Sequence, residues 1–344
     1  MIPRLRARAA WLLALALAGL VLTSCTEEDP VLVGLLLPGD EAQRWERVDQ
    51  PEFEDQVDRT CRGCRVSAHQ AGEDPERQAD QLEEVLDAGA DVVVVAAVDA
   101  AAMADRLADV EVPVVAYDRM IEGADYHVST EAARIGQLQA RAVVEAAGNS
   151  GRILMINGPS SDPNAAAIEE VAHAVLERNG VQVLAERDPD NWSANQARDW
   201  VASQLEERRP GGLDAIYAAN DVQAAGVARA LREAGVARGD YPAITGQDAE
   251  LGAVRRLITG EQAMTVHKSL HEQARQAADI AVAEMTDGEV SGGTDLDGTR
   301  SWILQPRAVG LDNLTETVVK DGFHTLEEIC RGRVTDRCQE LGFR

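Results

Sequence analysis

Two kinds of segment alternate along this chain. Short, mostly apolar runs occur at VLVGLLLP (31–38), DVVVVAAV (91–98), VPVVAY (112–117), RILMING (152–158), VQVLAE (181–186), LDAIYAAN (213–220) and YPAITGQ (241–247). Between them lie longer stretches whose apolar residues recur every three to four positions. Nearly unbroken apolar runs of this length predict strands buried on both faces, and the intervening pattern predicts the helices that cover them. The expected fold class is therefore α/β, with doubly wound parallel sheets. A second regularity links the halves: 87–119 and 211–249 share the order strand, polar turn, alanine-rich helix, strand, acidic turn. Two similar halves, in a chain longer than one core usually spans, predict two lobes with a cleft between them.

The first 24 residues break the pattern. Arg4, Arg6 and Arg8 precede an apolar run, Ala9 to Leu22, that is too short to span a bilayer comfortably. Leu-Thr-Ser-Cys follows, a small residue before a cysteine, as in a lipobox. It predicts a signal peptide over 1–24, a diacylglycerol anchor on Cys25 and a lipidated linker over 25–30. A plain signal peptide with a chance cysteine is the alternative. On the lipobox reading the chain works outside the cytoplasm, anchored to the cell membrane without crossing it.

Charge narrows the partners. The whole chain carries a formal −26, and removing the three leader arginines leaves 30 basic against 59 acidic residues, or −29. So acidic a surface argues against nucleic acid. Four cysteines remain beyond Cys25, and in an exported chain they predict two local disulfides, Cys61 with Cys64 and Cys330 with Cys338. A redox-active CxxC and a four-thiolate zinc site are the alternatives. No metal or cofactor is expected: Asp295 and Asp297 hint at a calcium loop, but its twelfth position is Pro306, so a surface turn is the reading.

Ligands of open α/β sheets bind beyond the carboxyl ends of the strands. Those positions hold Asp99, Asp118-Arg119, Asp162 with Asn164, Asn220-Asp221 and Gln247-Asp248. Asp and Asn there often cap the following helix, and Asp99 and Asp221 are read as caps. Arg119 is not explained that way, because a positive charge is disfavoured at a helix start. Two tryptophans also lie in polar turns, Trp45 in QRWER and Trp192 in DNWSANQA. A flat indole beside carboxylates, amides and a guanidinium suits a sugar, whose C–H face stacks while its hydroxyls pair with planar polar groups.

The segments QRWER, VVAYDRMI, IGQLQA (135–140), DPNAAA, DNWSANQA, AANDVQAAG, TGQDAE, AMTVHK (263–268) and VVKDGFH (318–324) occur in this order. Together they resemble the periplasmic sugar-binding proteins of ABC transporters, with the type I fold, and within them the xylose-binding branch. The resemblance implies sugar contacts at Arg44, Trp45, Asp118 and Arg119 from one lobe. Asp162, Asn164, Trp192, Asn220 and Asp248 would come from the other, with Lys268 on a crossing segment. It implies a first lobe of 31–128 plus 267–305, a second of 129–266 plus 306–328, and crossings near Ser129-Thr130, Val266-Lys268 and Gln305-Arg307. The tail 329–344, closed by its disulfide, lies outside the resemblance. So does an acidic first turn, replaced here by PGDEAQRW, and His267 stands where the family usually has an aromatic hydroxyl. The implied role is a monomeric carrier that delivers D-xylose or a similar monosaccharide to a membrane permease.

Two rivals remain: a sugar-binding component of a sensory or chemotaxis system, and a glycoside-processing enzyme using Asp118 and Asp248 as paired carboxylates. Arg119 and Lys268 would hold those acids ionised, which suits binding better than proton donation.

Overall fold

The computed structural model describes residues 31–39, 42–208, 212–286 and 288–343. The expected signal peptide, Cys25 and the expected linker 25–30 lie outside the described residues. In chain order the first elements are β1 (Leu32–Leu37), α1 (Gln50–Thr60), β2 (Arg65–Gln70), α2 (Pro75–Asp87), β3 (Val92–Val95), α3 (Ala100–Leu107), β4 (Val114–Tyr117) and β5 (Tyr126–Thr130). Next come α4 (Ala132–Ala147), β6 (Arg152–Ile156), α5 (Pro163–Arg178), β7 (Gln182–Arg187), α6 (Ala194–Glu207), β8 (Ala215–Ala218), α7 (Asp221–Glu233), β9 (Ala243–Ile244) and α8 (Leu251–Thr259). The last are β10 (Thr265–His267), α9 (Leu270–Met285), β11 (Thr294–Leu296), β12 (Thr299–Leu304), β13 (Arg307–Val309), α10 (Leu326–Ile329) and α11 (Thr335–Glu340).

These strands form two separate main sheets. The larger has the order β11-β12-β5-β4-β3-β1-β2, and the smaller β7-β6-β8-β9. All neighbours in both are parallel except β11 and β12, which form an antiparallel hairpin at one edge. Asp297 sits in that hairpin's turn and Asp295 in the strand before it, where Asp295 Oδ1 accepts from the Gly298 N–H at 3.3 Å. The doubly wound expectation holds, with that edge as the exception.

Both faces of each sheet are covered, which is why the inner strands read as unbroken apolar runs. In the larger sheet Val33, Leu35 and Leu37 face Phe53 and Val57 of α1 and Ala274, Ala277 and Ala281 of α9. Leu32 and Leu36 point the other way, onto Leu82, Val85, Met103 and Leu107 of α2 and α3. The smaller sheet repeats the plan, with Ile153 and Met155 under α4 and α5 and Leu154 and Ile156 under α6 and α7.

The chain passes between these halves three times. It leaves the larger sheet after Thr130 into α4, returns through β10 into α9, and leaves again between β12 and β13. Strands β10 and β13 pair antiparallel, lacing two of the passages together. Disulfides join Cys61 to Cys64 just beyond α1, and Cys330 to Cys338. The second closes a segment whose Ile329, Val334 and Cys338 are buried against Val254, Leu257 and Ile258 of α8. Among the described residues no helix is long and apolar enough to cross a membrane.

Candidate ligand-binding site

Strands β4 and β9 end in equivalent ways, each leading to a buried aspartate with left-handed backbone: Asp118 at φ 65° and Asp248 at φ 95°. Asp tolerates that conformation better than most residues but at a cost, so its presence twice points to a demand on where the carboxylate is aimed. The following passage strand locks each turn. The Asp118 N–H donates to Val128 O on β5 and the Asp248 N–H to Val266 O on β10, both at 2.8 Å. The similar halves read in the sequence thus present two carboxylates to each other across the cleft.

Lys268, one residue past β10, joins them. Its Nζ is 2.8 Å from Asp248 Oδ1 and 3.8 Å from Asp118 Oδ1. Arg44 adds a second cation, with Nη1 3.3 Å from Asp118 and 3.7 Å from Asp248. Arg44 is itself clamped: Nε and Nη2 donate to the two carboxylate oxygens of Asp49 at 2.9 and 2.8 Å, and its guanidinium lies 4.1 Å over the Trp45 ring. The Tyr117 hydroxyl donates to Asp49 from below. Burial alone would raise the Asp118 pKa, but Arg44, Lys268 and a 3.0 Å hydrogen bond from Gln273 Nε2 outweigh it and hold the carboxyl well below the usual range. Burial would likewise discharge Arg44, yet Asp118 and Asp49 keep it charged.

From the second half, Asp162 caps α5 through a 2.9 Å hydrogen bond from the Asn164 N–H, and Pro163 occupies the first helical turn, where a missing N–H costs nothing. Asp162 Oδ2 also lies 2.8 Å from Arg119 Nε, an ion pair too bent to be a hydrogen bond, while Arg119 Nη1 donates to Ala97 O. Asn164 Nδ2 donates to Asp118 O at 2.8 Å. These links, with Ala100 N to Ser161 O and Gln43 N to Glu250 Oε1, tie the halves together across the cleft. Asn220 caps α7 in a capping box with Gln223, so its Oδ1 is committed to the helix. Trp192 is 8% exposed, with its ring against Gly158: a Cβ built there would lie 2.4 Å from Cη2.

All ten residues expected to face a ligand, Arg44, Trp45, Asp118, Arg119, Asp162, Asn164, Trp192, Asn220, Asp248 and Lys268, line one small cavity of about 40 Å³. Buried Gln247 Oε1 and Arg119 Nε on its wall have no hydrogen-bond partner within the described chain. Cations, carboxylates and amides around two indoles can hold a small, uncharged, polyhydroxylated molecule: each hydroxyl finds a donor and an acceptor, and the fixed charges pair with one another.

Three details differ from expectation. Asp99 does cap α3 and stands away from the cavity, but Asp221 is not the cap of α7: Asn220 is, and Asp221 is buried, accepting from Gln262, Thr265 and the Glu250 N–H at 2.8 to 3.0 Å. His267 turns from the cavity toward Phe323 and Asp321, its Nε2 3.1 Å from Asp321 Oδ2. Asp49, Tyr117 and Gln273 went unread in the sequence. Each lies within a helix or strand, where only Asp49's place five residues after Arg44 gives any local hint.

Comparison with known proteins points one way. The family described as "Periplasmic binding protein domain" matches residues 33–289. The D-xylose-binding periplasmic protein of Haemophilus influenzae is 30% identical over 331 residues, covering 92% of this chain and 98% of the relative. Its counterpart in Escherichia coli K12 is 29% identical with the same coverage. A solved ABC transporter solute-binding protein from Clostridium phytofermentans, with bound β-D-glucose, shares the fold. Its TM-score is 0.77 at 23% identity, covering 87% of this chain and 99% of that one.

Proposed function

Since the chain belongs to the periplasmic binding protein family, we propose that it captures a monosaccharide, D-xylose or a close stereochemical relative, and passes it unchanged to an ABC permease. The observation that carries this reading is the convergence of the two left-handed aspartates, Lys268, Arg119 and the indoles of Trp45 and Trp192 on one cavity. The xylose preference is supported by relatives of that name that match nearly end to end. Release without chemistry is supported by Asp118: a carboxyl held ionised by Arg44 and Lys268 is a poor proton donor at neutral pH.

In this reading the lobes are 31–128 with 267–305 and 129–266 with 306–328, hinged at the three passages. Ligand stabilises the closed form by touching both, and the permease distinguishes closed from open. A diacylglycerol on Cys25 would hold the carrier near its permease. Calorimetric titration with a panel of pentoses and hexoses tests the proposal. Heat with D-xylose and no product on prolonged incubation are expected; silence with every aldose refutes it.

A further inference from the structure

Away from the cavity, α5 and β7 bring together Glu169, His173 and Glu186, with one ligand atom from each within 4.8 Å of the others. Glu169 and His173 are one turn apart on α5, and Glu186 is the penultimate residue of β7. His173 Nε2 lies 2.6 Å from Glu186 Oε1 and 4.0 Å from Glu169 Oε1. A second observation comes from beneath the cluster. Asn157, 1% exposed, aims its amide there, Nδ2 donating to Glu186 at 2.6 Å and to Asp188 at 2.8 Å, while its buried Oδ1 has no hydrogen-bond partner. The amide nitrogen thus holds one carboxylate oxygen of Glu186 and one of Asp188 side by side, as a supporting group does for the oxygen ligands of a cation. Among the described residues no arginine or lysine forms an ion pair with Glu169, Glu186 or Asp188.

We propose that Glu169, His173, Glu186 and Asp188, backed by Asn157, form a binding site for a divalent transition-metal cation. One imidazole with oxygen ligands suits zinc. The site adjoins the cavity wall: Asn157 precedes Gly158, against which Trp192 packs, and Asp188 opens the short segment that ends in Trp192. A bound cation would therefore tie the indole's supporting turn to α5.

Isothermal titration of zinc chloride into the full chain, free of affinity tags, chelator-stripped and without sugar, is the test. One site is expected, weakened at least tenfold in His173→Ala and in Glu186→Gln. Absence of heat overturns the proposal. So does wild-type affinity in both variants, which would place the zinc elsewhere, or calcium binding as tight as zinc and indifferent to His173→Ala. None of these outcomes depends on which sugar is bound.

Discussion

Substituting Gly158 by alanine isolates the support of the Trp192 ring. The Gly158 backbone lies outside the left-handed region, so a Cβ is conformationally acceptable, and the obstacle is purely steric. The new methyl would lie 2.4 Å from Trp192 Cη2, 2.6 Å from Cζ2 and 2.6 Å from Ala165 Cβ. Carbon atoms pack best at about 3.5–4.0 Å, so the ring must retreat by roughly 1 Å. The ring belongs to a buried cluster on one side and lines the cavity on the other, so the cavity is its open direction of escape. Overpacking of this kind costs about 1–3 kcal/mol, and an indole intruding on so small a cavity should weaken sugar binding by about ten- to a hundredfold. Thermal unfolding and calorimetry with D-xylose read the two effects separately. The double variant Gly158→Ala with Trp192→Phe, whose smaller ring relieves the clash, should regain part of the lost stability, a coupling of about 0.5–3 kcal/mol. Wild-type stability and affinity in Gly158→Ala alone would refute the reasoning.

Lys268→Met strips Asp248 of its 2.8 Å partner inside a buried site, which should cost about 3–5 kcal/mol in denaturant unfolding and abolish detectable sugar binding; an unchanged unfolding midpoint would contradict the pairing. Asp49→Asn frees Arg44 without altering the cavity wall, so affinity should drop about tenfold by calorimetry, since a clamped cation is lost rather than a contact. Burial pushes the His127 imidazole down to about 4, so the folded chain resists the proton that the unfolded chain accepts near 6.5. Stability from this residue is complete above about pH 6.5 and falls by about 3 kcal/mol as pH drops toward 4, and His127→Leu should flatten that slope in pH-resolved melting curves. Replacing both Cys330 and Cys338 by alanine should cost about 2–3 kcal/mol for so short a loop, read as a lower melting midpoint insensitive to reductant.

Local patterning carried most of the fold because strands buried on both faces have no choice but to be apolar throughout: all seven apolar runs contain strands of the two sheets. Strands with polar residues along them, such as β2, β5 and β12, and the very short passage strands escaped that signal. β2, RVSAHQ, is half-exposed along its length, and β10 and β13 are three residues each. The ligand-facing candidates were legible for a related reason, since strand ends open onto the cleft and unusual charges there stand out, Arg119 above all. What surrounds them was not. That Asp49 would clamp Arg44 depends on the exact geometry of the turn between them, that Gln273 of α9 would reach Asp118 on a contact between residues far apart in sequence, and that Asn220 rather than Asp221 would cap α7 on a difference of one helical position. The sequence by itself determined an exported-looking α/β chain with acids, amides and indoles at its strand ends. Only the tertiary structure decided that the two left-handed aspartates face each other across one lysine, because long-range electrostatics and close packing act between residues that no local period connects.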